Sequence, residues 1–206
     1  MATDVELRVS ELLTARLCHE LAGPITALAN GIDLLCEPGS DLDGETLALV
    51  GESMRRSSHR LQFYRFAYGF SGSSWSGTPV SELAAGYFEG SRVECDSIAA
   101  LDRLPLPQQK LGCNLLVSGA EALVRGGRVT LTQADSGLRL EAAGESVSVA
   151  REQFEALTLS TLIEDLGPRT VHEFFTGLLA RAQGWRLAAD ITAPGRLYLA
   201  TVPSKP

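Results

Sequence analysis

Cys18-His19-Glu20-Leu21-Ala22-Gly23-Pro24 is the stretch on which the reading of this 206-residue chain turns. It lies inside a periodic segment, from about Val9 to Leu35. There Leu13, Leu17, Leu21, Ile25, Leu28, Ile32 and Leu35 recur at steps of three and four. That spacing marks an amphipathic helix with one apolar stripe. At about 100° per residue, His19 falls nearly opposite the stripe, with Arg16, Gly23, Thr26 and Asn30 around it. The imidazole is therefore expected to face solvent or a partner from a polar strip with little bulk. Glu20 adds a carboxylate at the edge of that strip. Pro24 stands inside the pattern, where it removes an i→i−4 hydrogen bond and presses on the carbonyl of Glu20. A mid-helix Gly-Pro pair costs on the order of 3 kcal/mol or more, which argues for a role beyond packing.

Working outward, Cys36 to Asp41 reads as a loop around Pro38-Gly39. A second helical pattern runs from about Asp43 to Phe70, its stripe carried by Leu47, Val50, Met54, Leu61 and Tyr64. Two long helices on a short loop form an antiparallel hairpin. Its apolar face needs a cover, which two copies supply as a four-helix bundle. The alternative is that the rest of the chain covers it. Arg55, Arg56 and Arg60 fall within two helical turns, a basic run that can flank His19 across the hairpin and meet an acidic partner. Ser71 to Pro79 is rich in Gly and Ser and reads as a linker. It divides the chain into a helical unit, residues 1–72, and a second unit, residues 79–206.

The second unit alternates helices and antiparallel strands. Helices are expected over Pro79–Phe88, Pro107–Arg125, Arg151–Leu157 and Pro168–Gln183. Strands are expected over Arg92–Ile98, Arg128–Gln133, Leu138–Ala142, Trp185–Ile191 and Arg196–Val202. An Asp135-Ser136-Gly137 turn joins the middle pair. This is an α+β layer, so the fold class is α+β throughout.

Composition narrows the function classes. The formal net charge of −7 speaks against wholesale binding to nucleic acid. No stretch approaches 18 uninterrupted apolar residues, so no membrane span is expected, and the N-terminal residues lack the pattern of a signal peptide. Cys18, Cys36, Cys95 and Cys113 are far apart with no Cys-x-x-Cys pair, so reduced thiols and a cytoplasmic location are expected. A zinc-protease reading of His19-Glu20 needs a second histidine at position 23, which is Gly. No Gly-x-Ser-x-Gly is present to support a serine hydrolase.

His19-Glu20-Leu21 followed by Pro24 resembles the phosphoacceptor box of two-component histidine kinases. The longer run Thr14 to Pro24, continuing through Asn30-Gly31-Ile32-Asp33-Leu34-Leu35, resembles the ChpT-type histidine phosphotransferases of alphaproteobacterial phosphorelays. Gln108 to Leu123 is similar to the first nucleotide-box helix of the kinase ATP-binding module. Leu178 to Leu187 is similar to its last helix and following strand. The resemblance implies a dimeric hairpin bundle joined to a kinase-type, Bergerat-like α/β sandwich. It also implies departures from an active kinase. Ser118 stands where the kinase helix offers Mg²⁺ an asparagine. No Asp-x-Gly-x-Gly lies between Gly126 and Asp165. Leu166-Gly167-Pro168-Arg169-Thr170 replaces the Gly-rich phosphate lid.

These features imply a phosphorelay intermediate with no cofactor of its own and no ATP bound. His19 would accept phosphate from the aspartate of one receiver domain, with Glu20 orienting or polarising the ring, and pass it to another. The partners implied are response-regulator receivers: a hybrid-kinase receiver as donor and CtrA-like or CpdR-like regulators as recipients, each bringing its own Mg²⁺. Arg16, Gly23, Thr26, Arg55, Arg56 and Arg60 are the expected contact residues. Gly23 stands where kinases with phosphatase activity carry Thr or Asn, so the resemblance does not extend to that activity. Two other readings stay open at this level: an autophosphorylating kinase, and a receiver-binding scaffold without phosphotransfer.

Overall fold

The structure is a computed structural model and describes residues 2–36, 44–69, 77–96, 98–134, 137–191 and 194–204. The expected Pro38-Gly39 loop, most of the 71–79 linker and the Asp135-Ser136 turn lie outside these residues. Helix α1 spans Ala2–Cys36 and helix α2 Gly44–Ala67. Helix α3 (Val80–Phe88) follows, then strand β1 (Val93–Asp96), a 3₁₀ turn at Ile98–Arg103, and helix α4 (Leu106–Ala122). The chain continues through β2 (Gly127–Ala134), β3 (Gly137–Ala143), α5 (Arg151–Leu157), α6 (Val171–Arg181), β4 (Trp185–Asp190) and β5 (Arg196–Pro203). The strands form one mixed sheet in the order β1-β2-β3-β5-β4. Only the β1–β2 pair is parallel; the rest are antiparallel.

Strand alternation sets the layers. Val129 and Leu131, Leu138, Leu140 and Ala142, and Leu197 and Leu199 are buried, while the alternate residues Arg128, Thr132, Arg139 and Arg196 face water. That is the period-2 pattern of a sheet with one covered face. Helix α4 packs on β2, β3 and β5. Every residue from Leu111 to Gly119 is buried, as expected of a helix held between the sheet and other helices.

The two units do not have separate cores. Phe63, Tyr64, Phe66 and Ala67 at the end of α2 join the same apolar cluster as α3, α4 and the sheet. Phe63 stacks on Tyr87 with centroids 4.3 Å apart, and Tyr64 stacks on Tyr68 at 5.4 Å. The last carbonyl of α2, which has no partner within the helix, and that of Gly69 just beyond it take side-chain donors from α4. Asn114 donates Nδ2 to Ala67 O at 3.0 Å, and Lys110 donates Nζ to Gly69 O. Beside them, at the same base of the hairpin, Val9 and Leu12 of α1 pack with Ala156, Leu166, Val171 and Phe174. Val5 also packs on this cluster, so one side of α1 has tertiary contacts ahead of Val9, and the helix begins at Ala2.

The expected single stripe on α1 is split. Leu17, Leu21, Leu28 and Leu35 are half-buried, but Ile25 is 58% exposed and Ile32 50%. On α2, Leu47 and Met54 are each 60% exposed and Leu61 50%, whereas Tyr64 from the same expected stripe is buried. The second unit thus covers the base of the hairpin and leaves an apolar strip above it. Two helix ends also differ from expectation. Helix α4 stops at Ala122 because Leu123 leaves helical geometry and bridges Val147. Helix α6 starts at Val171 because the Gly167 N–H and the Thr170 hydroxyl close a turn at 3.1 Å ahead of it.

Candidate functional site

His19 is exposed on α1, and so are Ala15, Cys18, Ala22, Gly23 and Thr26 around it. A Cβ built on Gly23 would meet nothing within 4 Å, so the face beside the imidazole is open. The helix runs through Pro24, whose missing N–H leaves the Glu20 carbonyl without its usual donor. The result is a ring on a long, anchored helix, one turn before a weakened point, with room for a partner surface.

The other two histidines are engaged elsewhere. His59 Nδ1 lies 3.0 Å from Glu89 Oε2. His172 is fully buried. Its Nε2 lies 3.2 Å from Asn114 O and 3.1 Å from Ser118 Oγ, and its Nδ1 lies 3.0 Å from the Tyr68 hydroxyl. A neutral ring with its proton on Nε2 satisfies these contacts, donating toward Asn114 and accepting from Tyr68. Burial holds its pKa well below the ordinary imidazole value, and Arg16 adds to that.

Glu20 is half-buried and does not share the open face of His19. The Tyr64 hydroxyl donates to its Oε2 in a long contact of 3.4 Å, and Tyr87 stands 3.5 Å beyond. With Arg16, Glu121 and Arg169, Glu20 lines a cavity of about 610 Å³ between α1 and the second unit. The expected role of Arg16 on an exposed strip needs correction. Arg16 is buried, 8% exposed, and its guanidinium bonds Glu121 of α4. Burial alone would lower the pKa of this cation. The surrounding acids, Glu121 first, more than reverse that, so the charge persists at any working pH. Glu121 is itself raised, by burial first, with Glu20 adding like-charge repulsion. Arg16 therefore pins α1 to the second unit. Its partner is 105 residues away in sequence, and no local pattern announces the pair.

The arginine run is engaged with acids of its own neighbourhood, with Arg55 and Arg56 exposed and Arg60 half-buried. Arg55 donates to Glu89 at 3.0 Å, and Arg56 bonds Glu52. Arg56 and Arg60 line a cavity with Pro24, Ala27 and the turn after α3. Of the expected contact residues, only Gly23 and Thr26 share the open face with His19.

In the second unit, the Ser118 hydroxyl is taken by His172 rather than pointing into a ligand site. The space that Ser118 borders with Gln153, Leu157, Glu173 and Leu199 holds about 20 Å³. Glu173 fills one side of it, with Oε1 accepting from Gln153 Nε2 at 3.3 Å. Among the described residues, no group of three His, Cys, Asp or Glu side chains converges as a metal site. No described helix is long and apolar enough to cross a membrane.

A long helix that presents an exposed histidine, braced by an α+β unit, has the parts of a phosphotransfer protein. Residues 79–195 match the histidine phosphotransferase C-terminal domain family. The chain is 30% identical, over 201 residues, to protein phosphotransferase ChpT of Brucella abortus (strain 2308), covering 94% of this chain and 95% of that one. It is also similar to a solved bacterial phosphotransferase structure, with a TM-score of 0.76 and 29% identity across 95% of this chain and 96% of the other. The chain belongs to the histidine phosphotransferase family, and it is a protein histidine phosphotransferase of a phosphorelay.

Proposed function

We propose that His19 is the phosphoacceptor and that the chain relays phosphate between receiver domains. A ring nitrogen of His19 attacks the phosphorus of an aspartyl phosphate. The N–P bond forms as the P–O bond to the aspartate breaks, and the carboxylate leaves. Transfer onward reverses this with a second receiver's aspartate as nucleophile. The receiver supplies Mg²⁺ and an acidic pocket, so this chain needs only a reachable nucleophile on a rigid support. The observation that carries the reading is the contrast among the three histidines: His19 is exposed, whereas His59 is paired and His172 buried.

Gly23 and Thr26 form the near contact for the receiver. Glu20 acts from the side, through the Tyr64 contact, in orienting this turn of α1. The partners are response-regulator receivers, a hybrid-kinase receiver as donor and CtrA-like or CpdR-like regulators as recipients, and the setting is the cytoplasm. The second unit is a Bergerat-like sandwich that has lost ATP. That is supported by the engaged Ser118 and by a space of about 20 Å³, far below the roughly 300 Å³ at which ligand pockets begin. The chain works as a homodimer, two hairpins forming one bundle with a His19 on each outer side.

Incubation with a radiolabelled phospho-receiver tests the relay. Acid-labile label is expected on the parent chain and not on His19→Gln, whose stability should stay within about 0.5 kcal/mol because the residue is exposed. Labelled ATP alone should transfer nothing. Label retained by His19→Gln would overturn the assignment, and label from ATP alone would make the chain a kinase.

A further inference from the structure

We propose that the cavity between the hairpin and the turn after α3 binds a compact phosphate-bearing anion. It encloses about 210 Å³, below the roughly 300–1,000 Å³ of sites for drug-sized ligands. Orthophosphate or a small phosphomonoester fits that scale and a nucleotide does not. One face of α2 supplies Ser53, Arg56 and Arg60, the far wall supplies Gly90 and Ser91, and α1 supplies Pro24.

The charges in this cavity leave a cation without a counter-ion. Arg60 is half-buried, its guanidinium 5.9 Å from the centroid of the Tyr87 ring. Among the described residues it has no carboxylate within ion-pair distance. A partly desolvated charge without a partner is costly, and an anion in the cavity removes that cost. Among the described residues the carboxylate on the cavity wall is Glu89, which is paired with Arg55 and also lies 3.0 Å from His59 Nδ1. Arg56 is held by Glu52 and lies flat against Gly90. A Cβ at position 90 would sit 2.5 Å from Arg56 Nη2, and φ there is +66°. The positive φ favours glycine there, and the Arg56 guanidinium lies against it at the rim. The Ser91 hydroxyl oxygen accepts from Val93 N–H at 3.0 Å, which leaves its proton free to donate. The unpaired Arg60 guanidinium, with Arg56 beside it and the Ser91 hydroxyl opposite, is a donor set of the kind that recognises phosphate. The site is local, because the chain as a whole carries −7.

An occupied site ties α1, at Pro24 five residues past His19, to α2 and to the turn after α3. The test is calorimetry on the 206-residue chain with orthophosphate and with glycerol 3-phosphate, against chloride at equal ionic strength. Saturable binding at one site per chain is expected, with a Tm that rises with phosphate concentration. Arg60→Gln should weaken binding at least tenfold, and Arg60→Lys should retain part of it. Arg139→Gln, on the outer face of the sheet, should bind as the parent does. The proposal is overturned if the parent shows no saturable binding, or if Arg60→Gln binds as tightly as the parent. It is also overturned if the parent binds no phosphate while Arg60→Gln loses a receiver, since the site would then serve a protein carboxylate.

Discussion

At the residue scale, the phase of one helix made His19 legible, because the side opposite an apolar stripe faces outward wherever the stripe is buried. The same logic misplaced Arg16. Phase gives a direction but not what stands in that direction, and here the second unit supplies Glu121. Glu173 is a further residue that no pattern announced. It is 4% exposed, and burial, then Glu121, raises its pKa to about 7 from the ordinary 4.5. The folded chain holds this proton where the unfolded chain has released it. The group therefore costs nothing below about pH 4.5, and its cost grows as pH rises through that window. Above about pH 7 it costs roughly 3 kcal/mol, at 1.36 kcal/mol per pKa unit. Glu173→Gln removes the ionisable group. Urea melts should find the variant more stable than the parent by about 3 kcal/mol at pH 8 and by less than about 1 kcal/mol at pH 5. Equal differences at the two pH values would show that Glu173 ionises freely.

At the element scale, the hairpin was readable from periodicity, and its helices lie where the stripes put them. Their close approach was not readable. A Cβ on Gly31 would sit 2.5 Å from Val50 Cγ2, so α1 and α2 meet backbone to side chain at that level. Alanine favours a helix over glycine by about 1 kcal/mol, but overpacking costs about 1–3 kcal/mol, and the stiff valine has little freedom to retreat. Gly31→Ala is therefore expected to destabilise by up to about 2 kcal/mol in the parent. In a Val50→Ala background it should stabilise by about 1 kcal/mol. Thermal melts of the four chains close this cycle, and an equal effect in both backgrounds would mean that the helices do not touch there.

At the scale of the whole molecule, the second unit answers only part of the hairpin's need for cover. It takes Val9 and Leu12 of α1 and Phe63, Tyr64, Phe66 and Ala67 of α2, all at the base of the hairpin. Ile25 and Ile32 on α1 stay exposed, as do Leu47, Met54 and Leu61 on α2. Within each helix they are seven residues apart, the spacing of a seam between helices. Burying side chains of this size is worth roughly 1.5–3 kcal/mol each, and a second copy supplies a matching strip. Light scattering is expected to report a dimer for the parent and a monomer for Ile25→Glu. A monomeric parent, or a dimer that survives Ile25→Glu, would refute the bundle.

Local pattern by itself determined the helices, the strands, the α+β class and the outward histidine. These follow from periods of 3.6 and 2 and from turn residues, which act over a few positions. It also carried the family likeness, because the His19 box and the α4 helix are contiguous runs. The tertiary structure alone decided that residues of both units are buried together in the same clusters, that Arg16 is buried against Glu121, and that Ser118 hydrogen-bonds His172. It also decided that Arg56 and Arg60 line one cavity. Each of these joins residues distant in sequence, and burial and pairing across such distances are set by packing, which no short window of sequence encodes.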